Sequence, residues 1–348
     1  MGAWTQHHDV VSPPSARKEN KKLVSRRKSV RCQREPQMKS TSEMSCACPL
    51  CARTTTVRLS TRTVKGRLWH VMRCNSCELV FTNPQPNETD IQSFYEDDYH
   101  SNLRQPGASE KAFGYKFDDY CDWLLNYTKP GKALDIGCAT GLFVKKLQDR
   151  GFQAEGYEGN AASAAWGRSN FGVNIHAGLF NPRASQAGSY DLITLCDVLE
   201  HTVNPLEYLR AVRHLLRPCG HVMVTFPHIW SVESLYYRGL SRLLHREWVW
   251  QLCQVPYHTW EFTPQTARRV FERAGFRIVA FRRWQPIHGE PIDWRNLVTL
   301  IHIPTLILKL RPLGNRFGRQ MHFLLQRAEE HSVCAAETSV VPSWKTIS

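Results

Sequence analysis

The turn that most constrains this chain reads Leu-Asp-Ile-Gly-Cys-Ala-Thr-Gly at residues 134–141, between an apolar strand and an amphipathic helix. In such a unit, the first glycine lets the backbone approach a ligand, and the helix N-terminus supplies N–H donors with a partial positive charge. Gly137 and Gly141 fit these roles, and Asp135 and Cys138 lie beside them. The pattern predicts a ligand site at the end of the strand.

An acidic residue after the next predicted strand narrows the ligand class. Glu158 closes that strand, and a carboxylate about twenty residues after the turn can accept hydrogen bonds from ribose hydroxyls. A dinucleotide-binding turn would read GxGxxG to accommodate a pyrophosphate, whereas the spacing here is GxxxG. These features predict a nucleoside-containing cofactor and argue against a nicotinamide-dependent oxidoreductase.

Apolar runs alternate with helical patterns through the middle of the chain, which is typical of βαβ units and an α/β fold with a parallel sheet. The predicted strands are residues 133–136, 154–157, 173–176, 192–196, 222–226 and 278–281. Asn204 and Pro205 predict the start of one helix, and Thr263 and Pro264 predict the start of another that ends at Gly275. Residues 228–260, rich in Trp and Tyr, interrupt the alternation and indicate an insertion that covers a site.

Further motifs resemble those of a known superfamily. They are Tyr-Asp-Leu-Ile at 190–193, Asp-Val-Leu-Glu-His at 197–201, Asn-Pro at 204–205 and Leu-Arg-Pro-Cys-Gly at 216–220. With the glycine turn, they are similar to the motifs of class I S-adenosylmethionine-dependent methyltransferases, of the ubiquinone-biosynthesis type with an N-terminal zinc ribbon. The resemblance implies a Rossmann-like core with a mostly parallel seven-stranded sheet, S-adenosylmethionine as cofactor, and methyl transfer as the reaction.

The resemblance also assigns cofactor-binding positions, with two departures from the family pattern. The positions are Asp135, Gly137, Cys138, Gly141, Glu158, Leu179, Phe180 and Asp197. Ala139 replaces a usual glycine, which is tolerated if its backbone angles are ordinary. The acidic residue that often meets the adenine amine is absent after the third strand, so we expect apolar packing and main-chain groups to hold adenine. Asp197 is expected to line the pocket and not to act as a base.

Two CxxC pairs predict a metal module ahead of the core. Cys48 and Cys51 form one pair, and Cys74 and Cys77 form the other after twenty-two intervening residues. Four thiolates fill every position of a tetrahedral zinc ion and leave none open, so the predicted Zn²⁺ is structural. Cys46 is an alternative ligand.

The positive charge is concentrated near the N-terminus. Residues 1–43 carry ten Lys or Arg and four Asp or Glu, a net +6 of the total +14. With few apolar residues, this stretch is predicted to be disordered. It equally fits a targeting segment or a start codon placed ahead of Met38 or Met44. The basic residues between the CxxC pairs are compatible with nucleic-acid binding, but a scaffold role is the favoured prediction.

No apolar export signal is present, so a reducing, cytoplasmic environment is expected. The longest apolar run, residues 297–310, is interrupted by His302, Pro304 and Lys309 and is too short for a bilayer core of about 30 Å. Packing is favoured for this run, with peripheral membrane contact as the alternative. The oligomeric state has no signal in the sequence.

Two histidines are candidates for a general base, which typically accelerates a reaction by about 10²- to 10⁴-fold. His201 follows the fourth predicted strand at the edge where such sheets bind ligands, and His258 ends the insertion. Their structural alternatives are capping or packing for His201 and a hydrogen bond that pins the insertion for His258. The convincing metal ligands all belong to the CxxC pairs, so no catalytic metal is predicted.

The predicted organisation has six parts. They are a disordered basic extension (1–44), a zinc-ribbon module (45–83), a linker (84–110), a methyltransferase domain (111–285) with its insertion (228–260), a C-terminal helical or amphipathic segment (286–330) and a tail (331–348). The leading hypothesis is O-methylation of a small-molecule or glycan-like acceptor. The alternatives are a nucleotide-sugar C-methyltransferase and a zinc-ribbon nucleic-acid-binding protein with an inactive methyltransferase-like domain.

Overall fold

The structure is a computed structural model, and it describes residues 46–87, 89, 90, 93, 100–181, 187–243, 255–285 and 316–328. All of these residues belong to one compact unit, Ser42–Ser348. The predicted basic extension and tail lie outside the described residues, as do most of the segment 286–330 and residues 244–254 of the insertion, which include Trp248 and Trp250. The domain boundaries therefore stay predictions.

Eleven strands and six α-helices make up the described part. The strands are β1 (Thr56–Val64), β2 (Arg67–Cys74), β3 (Val80–Asn83), β4 (Lys132–Ile136), β5 (Gln153–Glu158), β6 (Ile175–Ala177), β7 (Tyr190–Cys196), β8 (Leu216–Pro227), β9 (Trp260–Glu261), β10 (Phe276–Trp284) and β11 (Gln320–Arg327). The α-helices are α1 (Ala108–Leu124), α2 (Leu142–Asp149), α3 (Ala161–Phe171), α4 (Pro205–Leu215), α5 (Val232–Leu243) and α6 (Pro264–Arg273). Two short 3-10 helices span Ser101–Leu103 and Leu199–His201.

Seven strands form the large sheet in the order β10–β11–β8–β7–β4–β5–β6. Neighbouring strands pair in parallel except at β11, which runs antiparallel to β8 and to β10. Side chains alternate between two apolar cores on opposite faces, with Leu134 and Val222 in one and Ala133 and Met223 in the other. The predicted Rossmann-like, mostly parallel seven-stranded sheet is confirmed.

Local signals set the ends of several elements as predicted. The Asn204 side chain accepts a hydrogen bond from the Glu207 N–H at the start of α4, and Pro205 occupies its first turn. Thr263 caps α6 through a reciprocal pair of hydrogen bonds with Thr266. Each of the six predicted strands is present, although β6 covers Ile175–Ala177 and begins two residues later than predicted.

The predicted C-terminal helical segment is wrong where it can be compared with the structure. Residues 320–327 form β11, which lies inside the sheet between β8 and β10. Because helices cover both faces of such a sheet, an inner strand carries a nearly continuous buried run and lacks the alternation that identifies an exposed strand. Met321, Phe323, Leu324 and Leu325 are all buried, as is the polar His322.

A second sheet links the cysteine-rich module to the core. Its strand order is β1–β2–β3–β9, so β3 of the module pairs with a strand that lies about 180 residues further along the chain. Phe81 pairs with Trp260, and both side chains are buried in the same apolar core as the large sheet. The module is therefore part of the folded core. Among the described residues, no helix is long and apolar enough to cross a membrane.

Alanine substitutions at two helical glycines are expected to change the free energy of unfolding in opposite directions. A Cβ at Gly167 in α3 would clash with the backbone carbonyl of Thr140 and lie 2.6 Å from Ile175 Cδ1, whereas a Cβ at Gly114 in α1 would meet only Glu110 Cβ at 3.9 Å. We expect Gly167→Ala to lower the free energy of unfolding by about 1–3 kcal/mol through overpacking. Gly114→Ala is expected to raise it by about 0.5–1 kcal/mol through helix propensity. Urea unfolding measures both, and equal effects would contradict the close approach of α3 to the glycine turn.

Candidate active site

A cavity of about 920 Å³ opens at the carboxyl ends of the parallel strands. The strand order reverses between β4 and β7, the switch point at which α/β sheets bind ligands. Seven of the eight predicted cofactor positions line the cavity, namely Asp135, Gly137, Cys138, Glu158, Leu179, Phe180 and Asp197. Gly141 is not among the described lining residues. The two candidate bases, His201 and His258, also line the cavity.

The glycine turn depends on left-handed backbone angles. Gly137 has φ 75° and Gly141 has φ 77°. A Cβ at Gly137 would lie 2.7 Å from Val198 Cγ2, and one at Gly141 would lie 2.6 Å from Ile175 Cδ1. Gly141 therefore lets the start of α2 lie close to Ile175 of β6, while Gly137 borders the cavity. Ala139 also lies in the left-handed region, with φ 50°, so the condition of ordinary backbone angles, under which alanine replaces the usual glycine without strain, is not met.

Glu158 holds the glycine turn in shape. Its carboxylate accepts hydrogen bonds from the backbone N–H of Ala139, at 2.8 Å, and of Asn160, at 2.7 Å. Burial raises the pKa of Glu158, although these N–H donors oppose the shift. Glu158, whose carboxylate accepts these hydrogen bonds from the turn, therefore also lines the cavity. This is the position at which the sequence predicted a ribose-binding carboxylate.

Asp135 is a buried carboxyl group at the end of β4. Its Oδ1 accepts a hydrogen bond from Thr194 Oγ1 at 2.6 Å. Burial raises the pKa of Asp135 to about 7, with the Thr194 bond opposing the shift and the Glu158 charge adding to it. A neutral carboxyl group is therefore favoured below neutral pH.

Apolar groups form the wall at the end of β5 and β6. Phe180 packs edge-on against Tyr157 with ring centroids 4.8 Å apart. Leu179 borders the same cavity and is 62% exposed, so it has a large apolar surface that a flat ligand could cover. This arrangement fits the predicted apolar support for an adenine ring.

Asp197 follows β7 in a left-handed conformation, with φ 58°. Its carboxylate lies 2.8 Å from Lys116 Nζ, and it also accepts hydrogen bonds from Gln320 and from Thr225 Oγ1. Burial opposes the charged form of Lys116, but Asp197 outweighs that effect and raises the pKa of the lysine. This ion pair links α1 to the residue that follows β7, and both residues line the cavity.

Glu200, His201 and His258 form a cluster on the β7 side of the cavity. Their potential ligand atoms all lie within 4.8 Å of one another. His201 Nδ1 donates to the Tyr257 carbonyl at 2.9 Å, and His258 Nδ1 lies 3.0 Å from Glu261 Oε1. Burial opposes the charged form of His258, but Glu261 outweighs it and raises the histidine pKa, whereas burial lowers the pKa of His201.

Backbone contacts fasten the two chain segments of this cluster together. Thr259 N and Oγ1 both donate to the Glu200 carbonyl, at 2.8 and 3.0 Å. On the other side, Thr82 of the cysteine-rich module donates its hydroxyl to the His258 carbonyl at 2.7 Å. The position of His258 therefore depends on β7 and on the module at once. Hydrogen bonds therefore hold this end of the insertion in place, and His258 also lines the cavity.

The four predicted zinc ligands converge in the module. Cys48 Sγ lies 3.5 Å from Cys77 Sγ, and Cys51 Sγ lies 3.6 Å from Cys74 Sγ. All four sulfur atoms lie within 4.8 Å of one another. Sulfur atoms on a tetrahedral zinc ion with bonds of about 2.3 Å are about 3.8 Å apart, so the cluster is compatible with zinc. Cys46 is outside this group, and its Sγ lies 3.5 Å from Thr56 Oγ1.

Sequence reasoning missed several groups of the cavity wall. They include Lys116, Glu200, Arg319, Gln320 and the aromatic residues Phe113, Phe117, Tyr208 and Trp284. Most lie on elements that the strand motifs do not predict as neighbours, such as α1 and β11. Glu200 was visible in the Asp-Val-Leu-Glu-His motif, where a carboxylate directly before a histidine was the available signal.

Residues 113–280 match a family described as a methyltransferase domain. They include the glycine turn, Glu158 and the whole Glu200 cluster, and the strand order is that expected from the resemblance. The chain carries a class I methyltransferase domain. The match covers the part of the large sheet from β4 to most of β10, so β11 and the cysteine-rich module lie outside it.

The methyltransferase domain has named relatives at moderate identity. Ubiquinone biosynthesis O-methyltransferase of Acinetobacter baumannii strain AYE is 30% identical over 104 residues, which is 26% of this chain and 41% of the relative. The protein of the same name from Marinobacter nauticus is 29% identical over 138 residues, 37% of this chain and 56% of the relative. The chain thus spans about two fifths to just over half the length of these relatives.

Solved methyltransferases are also similar in outline. A SAM-dependent methyltransferase from Archaeoglobus fulgidus is 15% identical and gives a TM-score of 0.43, with 63% of this chain and 97% of that chain covered. The identification of the methyltransferase domain rests on the family match and on the strand order.

Asp135 gives the methyltransferase domain a definite pH dependence of stability. Its pKa in the folded chain is about 7 against an ordinary value of 3.8, so the folded state holds a proton that the unfolded state releases. This contribution is complete below the unfolded pKa and is lost as pH rises through about 7, by up to about 4 kcal/mol. We expect Asp135→Asn to flatten the fall in unfolding free energy between about pH 4 and pH 8.

Glu155 is the matched control, because its pKa shifts the other way. His176 and Tyr190 lower the pKa of Glu155 against the effect of burial, so its contribution is present above its ordinary pKa and lost on acidification. Glu155→Gln is expected to leave the alkaline fall intact. Denaturant unfolding across the pH range measures both variants, and an unchanged profile in Asp135→Asn would contradict the buried neutral carboxyl.

Proposed function

We propose that the chain is an S-adenosylmethionine-dependent methyltransferase that methylates an oxygen atom of a small-molecule or glycan-like acceptor. One observation carries this proposal. A single cavity joins the glycine turn and Glu158 at one side to Glu200, His201 and His258 at the other. Such a cavity has room for a cofactor and an acceptor together, because ligand sites commonly measure about 300–1,000 Å³.

The residues on the β4–β5 side fit an adenosyl group. Gly137 leaves space where any Cβ would meet Val198, and the buried Glu158 carboxylate is available to ribose hydroxyls. Leu179 and Phe180 offer the apolar surface for adenine, and Asp135 and Asp197 complete the wall. When bound, S-adenosylmethionine supplies a methyl group from its sulfonium centre.

The opposite side of the cavity would receive the acceptor. Phe113, Phe117 and Trp284 provide flat apolar surfaces, while Lys116 lies beside them with its charge held by Asp197. These groups would orient a partly apolar acceptor, and orientation is a major source of rate acceleration in transfer between two bound molecules. A hydroxyl placed at the histidine cluster would lose its proton there, which favours oxygen over carbon as the methylated atom. The name of the similar ubiquinone biosynthesis O-methyltransferases supports the same choice.

We also propose that the four-cysteine cluster binds a structural zinc ion. The sulfur spacing fits, and the site offers no position for a substrate because four thiolates complete a tetrahedron. The module also supports the cavity directly, since Arg269 of α6 donates to the Cys77 carbonyl at 3.0 Å and β3 pairs with β9. A scaffold role therefore accounts for its position beside the site.

The cofactor site can be tested with S-adenosylhomocysteine. We expect micromolar binding in calorimetry, and Glu158→Gln should weaken it by about 1–3 kcal/mol, the cost of losing a buried hydrogen-bonding partner. Glu155→Gln is the matched control, because Glu155 lies on the same strand and bonds to Tyr190 and His176, which do not line the cavity. If the wild type releases no heat and does not compete with S-adenosylmethionine, the proposed function fails, and nucleic-acid binding becomes the alternative to test.

The zinc proposal predicts different effects for two neighbouring cysteines. Cys77→Ser removes one of the four converging thiolates, so it should lose the bound zinc and markedly lower thermal stability. Cys46→Ser changes a cysteine outside the cluster and should keep about one zinc per chain. Metal content by mass spectrometry and a thermal melt measure both. Equal zinc content in the two variants would mean that the four sulfur atoms do not hold the ion.

A further inference from the structure

We propose that a second pocket, at the N-terminus of α6, binds the phosphate group of a small molecule. This α6 pocket has a volume of about 510 Å³. It is bordered by β2 and the loop after it, by the segment that follows β8, by the start of α6 and by the end of β10. None of its described lining residues belongs to the lining of the cavity at the ends of the parallel strands. The inference therefore goes beyond the proposed function and does not rest on it.

The start of α6 supplies a main-chain donor and a partial positive charge. Thr263 caps this ten-residue helix by accepting from the Thr266 N–H, and Pro264 has no N–H to donate. Of the N–H groups in the first turn, that of Gln265 is left for a ligand, and Gln265 is an exposed residue of the pocket lining. Because the N-terminal N–H groups of a helix carry a partial positive charge, the position favours an anion such as phosphate.

A buried histidine with an unpartnered ring nitrogen lines the same pocket. His228 is 6% exposed, and its Nδ1 has no hydrogen-bond partner among the described residues. Its backbone is held in place, because its N–H donates to the Arg319 carbonyl at 2.6 Å and it pairs with Phe262 in a β-bridge. Burial, with the charge of Arg283 adding to it, lowers the pKa of His228 to about 4, so the ring is neutral and carries one N–H donor. Leaving a buried polar nitrogen without a partner is costly, so this ring indicates a ligand.

Positive charge exceeds negative charge in the pocket lining. Arg73 of the module and Arg283 of β10 line the pocket, and Glu78 is the one carboxylate among its described lining residues. Glu78 pairs with Arg73 Nη2 at 2.8 Å, whereas Arg73 Nε has no partner in the described part of the chain. Arg283 donates to the Arg316 carbonyl at 3.2 Å, and burial lowers its pKa with no described carboxylate opposing the shift. An anion would balance the charge of Arg283, and guanidinium groups match the oxygen atoms of phosphate.

An aromatic ring in the lining favours an organic phosphate over the bare ion. Trp230 lines the pocket and is half-buried, and the Arg238 guanidinium lies 4.3 Å from the centre of its ring. Flat or apolar groups pack well against such a ring. The volume is typical of small-molecule sites, which commonly measure about 300–1,000 Å³. A nucleic-acid backbone would need basic groups arranged along a groove, whereas here groups from four chain segments meet at one pocket. The expected ligand is therefore a phosphate monoester that carries a flat or apolar group.

A bound anion would join the cysteine-rich module to the ends of two core strands. Arg73 belongs to the module, whereas His228 follows β8 and Arg283 lies near the end of β10. His228 and Arg283 are each next in sequence to a residue of the other cavity, Pro227 and Trp284. The ligand would thus hold the module against strand ends that also form the wall of that cavity. Since a ligand that binds only the folded chain stabilises it, phosphate should raise the unfolding temperature.

Inorganic phosphate and phenyl phosphate test the pocket without a methyl acceptor. The full chain is titrated with each compound by calorimetry at constant ionic strength, with chloride as the balancing anion. We expect about one bound phosphate per chain and an affinity about threefold higher for phenyl phosphate, an advantage that Trp230→Ala should remove. Arg283→Gln and His228→Leu should each weaken the binding of both compounds by at least about tenfold, because each loses a hydrogen bond to a charged group.

Arg277→Gln is the matched control for Arg283→Gln. Arg277 lies on the same strand, is exposed and is not among the described lining residues, so this variant should bind phosphate as the wild type does. Circular dichroism and a thermal melt show whether each variant is folded, and Arg283→Gln decides the test if His228→Leu does not fold.

Three outcomes would overturn the proposal. The α6 pocket is not a phosphate site if the wild type binds neither compound at millimolar concentration, or if Arg283→Gln binds both as the wild type does. Equal losses of affinity in Arg283→Gln and Arg277→Gln would mean that phosphate responds only to the general charge of the chain. A short single-stranded oligonucleotide that binds more tightly than phenyl phosphate, and loses that affinity in Arg283→Gln, would assign the pocket to a nucleic-acid backbone and exclude the small molecule as its occupant.

Discussion

The short pairing between β3 and β9 is the contact on which the arrangement of the site depends. It joins Phe81 to Trp260 and Val80 to Glu261 across about 180 residues of chain. Both aromatic side chains are buried, and Thr82 adds hydrogen bonds to the carbonyls of His258 and Thr259. Each such bond contributes about 1 kcal/mol, so the aromatic burial is the larger part of the stabilisation. This pairing and the Thr82 hydrogen bonds together hold the segment of His258 against the module.

The chain that follows β7 also makes hydrogen bonds to the segment that contains His258. Thr259 bonds to the carbonyls of Glu200 and Thr202, and Trp260 Nε1 donates to the Val203 carbonyl at 3.3 Å. His258 is thus held between the module and the core. If the four-cysteine cluster became disordered, these contacts would weaken and the position of His258 in the cavity wall would change, although the four cysteines do not line the cavity. This gives the module a role in the geometry of the site.

Sequence reasoning succeeded where the determinants are local. The glycine turn, the end of β5 and the caps of α4 and α6 each depend on residues within a few positions of one another, so a single sequence shows them. It failed for β11, because an inner strand has no alternation to detect, and it made no prediction of the left-handed angle of Ala139. The Lys116–Asp197 ion pair and the Glu200 cluster depend on contacts between elements distant in sequence. Only the order of strands in space brings those residues together.

Charge balance is what distinguishes the acceptor side of the cavity from a simple apolar pocket. Burying an unpaired carboxylate is costly, and a fold tolerates it where a ligand restores the balance during function. Lys116 compensates Asp197, and Glu261 is directed at His258, so Glu200 is the group left to meet whatever enters. An uncharged apolar acceptor alone would desolvate Glu200 further and bind poorly. Burial raises the pKa of Glu200 to about 8, so a proton on this carboxyl group restores the balance when the cavity is empty, and an occupant that brings positive charge or donor groups would take the place of that proton.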